Sequence, residues 1–314
     1  MRVGIFGSDD DLQVHAVARE LRALGAEDVL LRNDAADEGL PLSLVDGRVV
    51  YRGVDTTDFA GFYLRNIPAA YAPYAEDDDG ELVLPEGWAP AYEVSRQRSA
   101  FYVSWLLSLE ARGARLVNPP HAASVLQYKP FQLDVLRRLG ARVPRTLISN
   151  EPDAVRAFHA EVRDVVFKPV MGGALTQVLD AEVLGALHFL PEAPVIFQER
   201  ITGDDLRVML AGDDVVSSVA IRTPTQHLDF RGDPAYQGGD ATYEEVALPA
   251  AVEDFCRKAA RACGLVFAGI DIKRTPGGEW VFLELNSSPI YLDVEVKLGH
   301  PISRAVAELA LGRR

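Results

Sequence analysis

The stretch from Phe267 to Pro289, FAGIDIKRTPGGEWVFLELNSSP, constrains the fold more than any other part of the chain. Two apolar runs flank Thr275-Pro-Gly-Gly278, whose composition is that of a turn, so the stretch reads as a β-hairpin. Phe267, Ile270 and Ile272 give the first strand its apolar bulk, and Asp271 interrupts it. Val281, Phe282, Leu283 and Leu285 do the same for the second strand, which Glu284 and Asn286 interrupt. Side chains alternate along a strand, so Glu284 and Asn286 share a face, and pairing can bring Asp271 opposite them. Carboxylates left unpaired in such an apolar setting are strongly disfavoured, so a cation is expected among them. All-oxygen ligands suit a hard ion. Three side chains are too few for a closed cage, which points to magnesium shared with a phosphate-bearing substrate. Taken by itself the pattern also fits a solvated hairpin whose polar face carries Asp, Glu and Asn by coincidence.

A chain of 314 residues is long enough for two or three subdomains. With 48% hydrophobic and 25% charged residues it has the composition of an ordinary globular protein. No apolar run approaches the roughly 18 residues of a membrane span, and the N-terminus lacks a signal-peptide pattern, so a cytoplasmic protein is expected. The formal charge of −14 argues against a general nucleic-acid binder. It leaves room for a local basic pocket. Cys256 and Cys263 lie about two turns apart on one helical face, too far for a disulfide, and read as two buried small hydrophobes.

In chain order, Arg2–Phe6 is an apolar strand, Leu12–Leu24 has helical spacing at Val14, Val17, Ala18 and Leu21, and Val29–Leu31 is the next strand. This opening is Rossmann-like in layout, but Gly4 and Gly7 do not make the dinucleotide fingerprint. Asp46-Gly47 marks a hairpin between Leu42 and Arg52. Arg65 ends the strand from Phe59, where it serves either a ligand cleft or an ion pair. Residues 69–90 form an irregular segment with Tyr71, Tyr74 and the acidic run Glu76–Asp79, which is either solvated or receives a basic peptide. A helix over Tyr92–Ala111 buries Phe101, Trp105 and Leu109. Lys129 precedes a helix from Phe131 to Leu139, and Asp164–Pro169 is a strand with Lys168 near its end. The pair Arg207–Leu210 and Val215–Arg222 is a hairpin, residues 223–244 are mostly loop, and a helix runs from Pro249 to Cys263. Ile302–Leu311 closes the chain as a helix.

Several of these residues suit a nucleotide. A lysine ending the apolar strand of Val165 to Phe167 is costly unless it meets an anion, so Lys168 is a phosphate candidate, with Lys129 as a second. Gly172-Gly173 follows, able to turn backbone N–H groups onto phosphate oxygens. It lacks the Gly-Lys-Ser/Thr ending of a Walker A loop. Gln198-Glu-Arg-Ile201 leaves its strand like a hinge, where Glu199 and Ile201 offer backbone groups to an adenine edge. Asp205 lies where a ribose hydroxyl could be met.

As an ordered set, Lys129, Lys168-Pro with Gly172-Gly173, Gln198-Glu-x-Ile201, Asp205-Leu-Arg207, Arg222, Arg231, Asp271, Glu284 and Asn286 resemble the ATP-grasp superfamily over nearly the whole chain. The subfamily that looks nearest is the graspetide (microviridin-type) peptide ligases. The phrases that carry this are Asn118-Pro-Pro120, Lys129-Pro-Phe-Gln-Leu133, Val143-Pro-Arg-Thr-Leu-Ile-Ser-Asn-Glu-Pro152, Asp229-Phe-Arg231 and Leu298-Gly-His-Pro-Ile302. Ribosomal-protein glutamate ligases and glutathione synthetases are close relatives. Ser287-Ser-Pro289 follows the glutamate-ligase pattern rather than the graspetide Pro-x-Gly-Gln, and Asp233 stands where glutamate ligases tend to carry Asn.

The resemblance implies an α/β protein with an ATP-grasp fold. It would have an N-terminal Rossmann-like pre-ATP-grasp domain (residues 1–120), a small central α+β subdomain (121–200) and a C-terminal α+β subdomain with the magnesium hairpin (201–314). The implied chemistry is a ligase that forms an acyl phosphate from a carboxylate and ATP and passes the acyl group to an amine or hydroxyl, with a peptide as acceptor. Asp271, Glu284 and Asn286 would hold Mg2+, with Mn2+ as the substitute ion. Lys129, Lys168, Gln198, Glu199, Ile201, Asp205 and Leu283 would form the nucleotide site. Arg222 and Arg231 would be the catalytic arginines, and Asp229 and Arg231 would meet the acceptor. Catalysis then rests on positioning and cations, with no protein nucleophile. The alternatives are a ligase for amino acids or a protein tail, and a nucleotide-binding regulatory protein without turnover. Neither nucleic acid nor membrane is an expected partner, and self-association into a homo-oligomer stays open.

Overall fold

The structure, a computed structural model, describes residues 1–32, 42–51, 53–67, 75–76, 82–171, 174–225 and 227–314. Tyr71, Tyr74, most of the acidic run (Asp77–Asp79) and Gly172-Gly173 lie outside the described residues. Residues Met1–Pro120 and Val306–Arg314 form one compact unit, and His121–Ala305 form another. Among the described residues no helix is long and apolar enough to cross a membrane.

The first unit is built on a parallel sheet in the order Glu27–Arg32, Arg2–Gly7, Gly61–Leu64, Arg115–Val117. The helix Leu12–Ala23 follows the first strand as the spacing predicts, with Val14, Val17, Ala18 and Leu21 buried. Asp11 caps it by accepting from the Gln13 N–H at 2.9 Å. The other oxygen of Asp11 accepts from Arg65 Nε at 2.6 Å, so of its two readings Arg65 takes the ion pair. The long helix Trp88–Ala111 contributes Tyr102 and Trp105 to the core, where the Trp105 and Tyr51 rings stack 5.8 Å apart. Tyr51 ends the expected hairpin, Leu42–Val45 paired with Arg48–Tyr51. Its turn has Asp46 at φ 47° and Gly47 at φ 81°, the doubly left-handed geometry that an Asp-Gly pair allows.

The second unit holds two antiparallel sheets. One runs Thr146–Ser149, Val195–Glu199, Val165–Pro169, Gln177–Val178. The other runs Thr242–Glu245, Asp214–Arg222, Asp204–Ala211, Phe267–Arg274, Trp280–Asn286. Alternation sorts the second sheet into two faces. Leu206, Val208, Leu210, Ile270 and Ile272 bury themselves in a core with Leu133 and Leu136 from the helix Lys129–Arg138 and with Cys256 and Cys263. Asp205, Arg207 and Asp271 occupy the alternate positions and belong to the other face. Both cysteines are buried and free, as expected, and burial pushes the Cys256 thiol up to about 12.

Two local expectations are corrected. Lys129 is the first residue of its helix rather than a residue before it, since Pro130 fits the first turn, where the N–H has no helical partner. The segment 223–244 is more ordered than a loop. Asp229 and Asp233 cap a 3₁₀ turn (Phe230–Gly232) and a short helix (Pro234–Gln237), and Thr242–Glu245 extends the sheet. A further helix, Leu292–Leu298, ends at Gly299 with φ 73°.

Candidate active site

Strand register assembles the site. Arg207 pairs with Asp271, and Asp271 pairs with Glu284, so three charged residues lie side by side across three strands. One row away, Met209, Gly269 and Asn286 are aligned in the same order. Gly269 is required there, because a Cβ would come within 2.6 Å of the Pro289 ring, which packs the segment after Asn286 back onto the hairpin.

The second strand does not alternate regularly. Ile270 pairs with Leu285 and Asp271 with Glu284, but Ile272 pairs with Phe282, which leaves Leu283 as the extra residue of a β-bulge. The bulge resolves a conflict in the sequence. Phe282 and Leu285 are three residues apart, yet both belong to the core. Leu283 and Glu284 are adjacent, yet both line the same cavity.

Each carboxylate meets a cation. Arg207, 8% exposed, donates from Nε and Nη2 to the two oxygens of Asp271 at 2.8 and 2.9 Å. Lys129, also 8% exposed, donates from Nζ to Glu284 Oε2. Burial pushes the Glu284 carboxyl up, but the charges of Lys129 and Lys168 outweigh it and hold the group below the usual carboxylate range. Burial lowers the Lys168 ammonium; Glu284 opposes that shift and Lys129 adds to it. Asn286 Nδ2 lies 3.1 Å from Asp271 Oδ2 and 3.5 Å from Glu284 Oε1, so the amide and both carboxylates converge. Turning the amide over, which preserves its shape, would aim a third oxygen at the same place. The donor set therefore suits a hard divalent ion. Among the described residues no three His, Cys, Asp or Glu side chains gather to hold a metal; here the third donor is an amide.

A cavity opens over these residues. Lys168, Gln198, Glu199, Ile201, Asp205, Arg231, Asp271, Leu283 and Glu284, all expected at the site, line it, as does Asp229. The Glu199 carboxylate is turned to Arg142, at 2.9 and 3.1 Å, and to the Arg145 N–H. The Glu199 N–H donates to the Arg145 carbonyl at 2.9 Å. Gln198 is buried and donates to Thr146 Oγ1 at 3.1 Å. Asp205 accepts from Lys273 Nζ at 2.8 Å, and burial nevertheless raises its carboxyl above the usual range.

Arg231 donates to Asp229 at 2.9 and 2.5 Å, and Asp229 also accepts from the Thr176 N–H at 3.2 Å. Burial pushes the Asp229 carboxyl up, but the Arg231 guanidinium outweighs it and sets the group at about 2. Arg222 stands apart from this cavity. It lines an adjoining cavity and is tied to Asp204 and, at 2.8 Å, to Glu244. Lys273 was not expected as a site residue, and Arg207 was named only within the phrase Asp205-Leu-Arg207, with no role given. Counting strand register outward from Asp271 would have found Arg207, which also lies 5.4 Å from the Phe230 ring centroid.

The chain is similar to several known proteins. A family model described as the RimK-like ATP-grasp domain matches residues 127–309. The solved structure of the ATP-grasp ligase PsnB complexed with minimal precursor, Mg, and ADP is similar over 99% of this chain and 97% of that one, with a TM-score of 0.80 and 33% identity. PsnB complexed with precursor peptide PsnA2 and AMPPNP is similar over 99% and 96%, with a TM-score of 0.80 and 33% identity. The probable alpha-L-glutamate ligase of Pseudoalteromonas translucida (strain TAC 125) is 31% identical over 216 residues, which cover 65% of this chain and 70% of that protein.

Proposed function

This chain belongs to the RimK-like ATP-grasp family, and on that premise we propose that it activates a carboxylate with ATP and joins it to an amine or hydroxyl on a peptide. The observation that carries the peptide reading is its end-to-end likeness to a ligase held with a precursor peptide. In the first step a carboxylate oxygen attacks the γ-phosphorus, ADP leaves, and an acyl phosphate forms. In the second an amine or hydroxyl attacks the acyl carbon, phosphate leaves, and the nucleophile loses its proton.

The residues divide the work. Lys129 and Lys168 hold phosphate oxygens. Glu199, whose N–H is engaged by Arg145, meets the adenine amino group through its carbonyl, and the Ile201 N–H meets a ring nitrogen. Gln198 supports that hinge, Leu283 packs against the nucleotide, and Asp205 with Lys273 meets the ribose. Asp271, Glu284 and Asn286 would hold Mg2+, or Mn2+ in its place, which would supply positive charge against the phosphates. Arg231, held by Asp229, steadies the acceptor carboxylate or the acyl phosphate. Arg222 acts from the adjoining cavity, where the acceptor approaches. The three-part division at residues 120 and 200 and a cytoplasmic location belong to this proposal.

Likeness to glutamate ligases, together with Ser287-Ser-Pro289, supports a second reading in which the acceptor is an amino acid or a protein tail. The two separate on ADP release. With ATP, Mg2+ and single amino acids no ADP is expected, whereas a peptide rich in Glu, Asp, Thr, Ser and Lys should support release. ADP formation from amino acids alone overturns the peptide reading. In the same assay Asp229→Ala is expected to raise the KM for the acceptor at least about tenfold more than the KM for ATP, because Arg231 loses the partner that orients it. The reverse pattern would move Asp229 to the nucleotide.

A further inference from the structure

We propose that Gln132 is a positioning residue for the metal-binding strand, acting through the backbone of Leu285. The inference rests on the metal role given above to Glu284 and Asn286. Trp280–Asn286 is the last strand of its sheet. Its inner edge pairs with Phe267–Arg274, and its outer edge has no strand neighbour among the described residues. The bulge at Leu283 also interrupts the register that would otherwise hold Glu284 in place. Something beyond sheet pairing must therefore fix the peptide between Glu284 and Asn286.

Two contacts do this. On one side of the bulge the Phe282 N–H donates to the Arg142 carbonyl at 2.9 Å. On the other the Leu285 N–H donates to Gln132 Oε1 at 2.9 Å. Gln132 is 1% exposed, and its Nε2 donates to the Val125 carbonyl at 2.8 Å, so both ends of the amide are engaged and its orientation is set. Lys129 lies one turn earlier on the same helix and reaches Glu284 itself. One helix thus holds the strand twice, by charge at the Glu284 side chain and by a neutral bond at the adjoining peptide. The direction of the Leu285 N–H sets the two residues that flank it, Glu284 and Asn286. Without Gln132 the peptide can rotate and the two side chains no longer converge.

The test uses the whole chain with two substitutions. Gln132→Met keeps the length and loses both bonds; Gln132→Glu keeps an acceptor for the Leu285 N–H. Amide hydrogen exchange across residues 283–287 is measured without metal or nucleotide, and nucleotide binding is titrated against Mg2+ by calorimetry. Gln132→Met is expected to speed exchange at Leu285 and raise the half-saturating Mg2+ concentration, each by about tenfold. Gln132→Glu is expected to recover most of both, since a carboxyl kept protonated by this burial offers an acceptor to the Leu285 N–H and a donor to the Val125 carbonyl. Wild-type exchange and Mg2+ dependence in Gln132→Met would overturn the proposal, as would equal Mg2+ defects in both variants, which would make Gln132 a packing residue. If Gln132→Met does not fold, Gln132→Asn, one methylene too short to reach both partners, is read the same way. Nucleotide binding by the wild type without any Mg2+ dependence would instead sink the metal reading, and the exchange result would still stand on its own.

Discussion

Replacing Asp271 with Asn is expected to lower turnover by about 10³-fold or more and to leave a folded protein. Two consequences of one lost charge lead to this. The proposed metal set would keep a single carboxylate, Glu284, so a divalent ion there would be bound more weakly and would offset less of the phosphate charge. Arg207, buried and bonded to both Asp271 oxygens at 2.8 and 2.9 Å, is left with a neutral partner. Breaking a buried pair of this kind costs about 3–5 kcal/mol. That is a large part of the roughly 5–15 kcal/mol that stabilises a domain, so the melting temperature should fall while the native circular dichroism persists. Turnover at saturating ATP and Mg2+, read beside a thermal melt, checks both. Wild-type turnover would remove Asp271 from the metal set. An unchanged melt with turnover lost would mean that the Arg207 pair contributes little to stability.

The second large effect belongs to Lys168. Lys168→Ala should weaken nucleotide binding by about 10- to 100-fold, the range for a charge-assisted hydrogen bond to phosphate. Its titration gives a further signature. Burial lowers the pKa of this ammonium, so the charge that attracts phosphate is present below the lowered pKa and is lost as pH rises through it. Wild-type nucleotide affinity should therefore fall with rising pH earlier than an ordinary lysine would cause. Lys168→Arg, charged throughout, should flatten that fall. Calorimetric titrations over a pH series check this. Unchanged affinity in Lys168→Ala would take Lys168 out of the phosphate site.

Much of this site was legible before any coordinates. The Asp-Gly and Pro-Gly-Gly turns, the apolar alternation around Asp271 and the lysine ending the strand Val165–Pro169 are local features, and local chemistry carries them. Asp229 and Arg231, read by resemblance, also come together at 2.9 and 2.5 Å. The start of a short helix at Asp233-Pro234 was equally local, but the surrounding glycines and polar residues suggested loop. Other features had no local signal. Nothing in Val281-Phe-Leu-Glu284 fixes where a bulge would fall, since no glycine marks it and Val281, Phe282 and Leu283 all suit a regular strand.

From its residues alone, the chain determines which strands are amphipathic, where they turn, and that two acids and an amide fall within one hairpin. Only the tertiary structure decides which cation meets which acid: Lys129 reaches Glu284 across 155 residues of sequence, and Arg207 reaches Asp271 across 64. The reason is physical. Alternation is a property of a single strand, whereas register, the bulge and the bonds that cover an edge strand belong to neighbours packed together. Several lysines and arginines could chemically have filled either place, and packing selects among them.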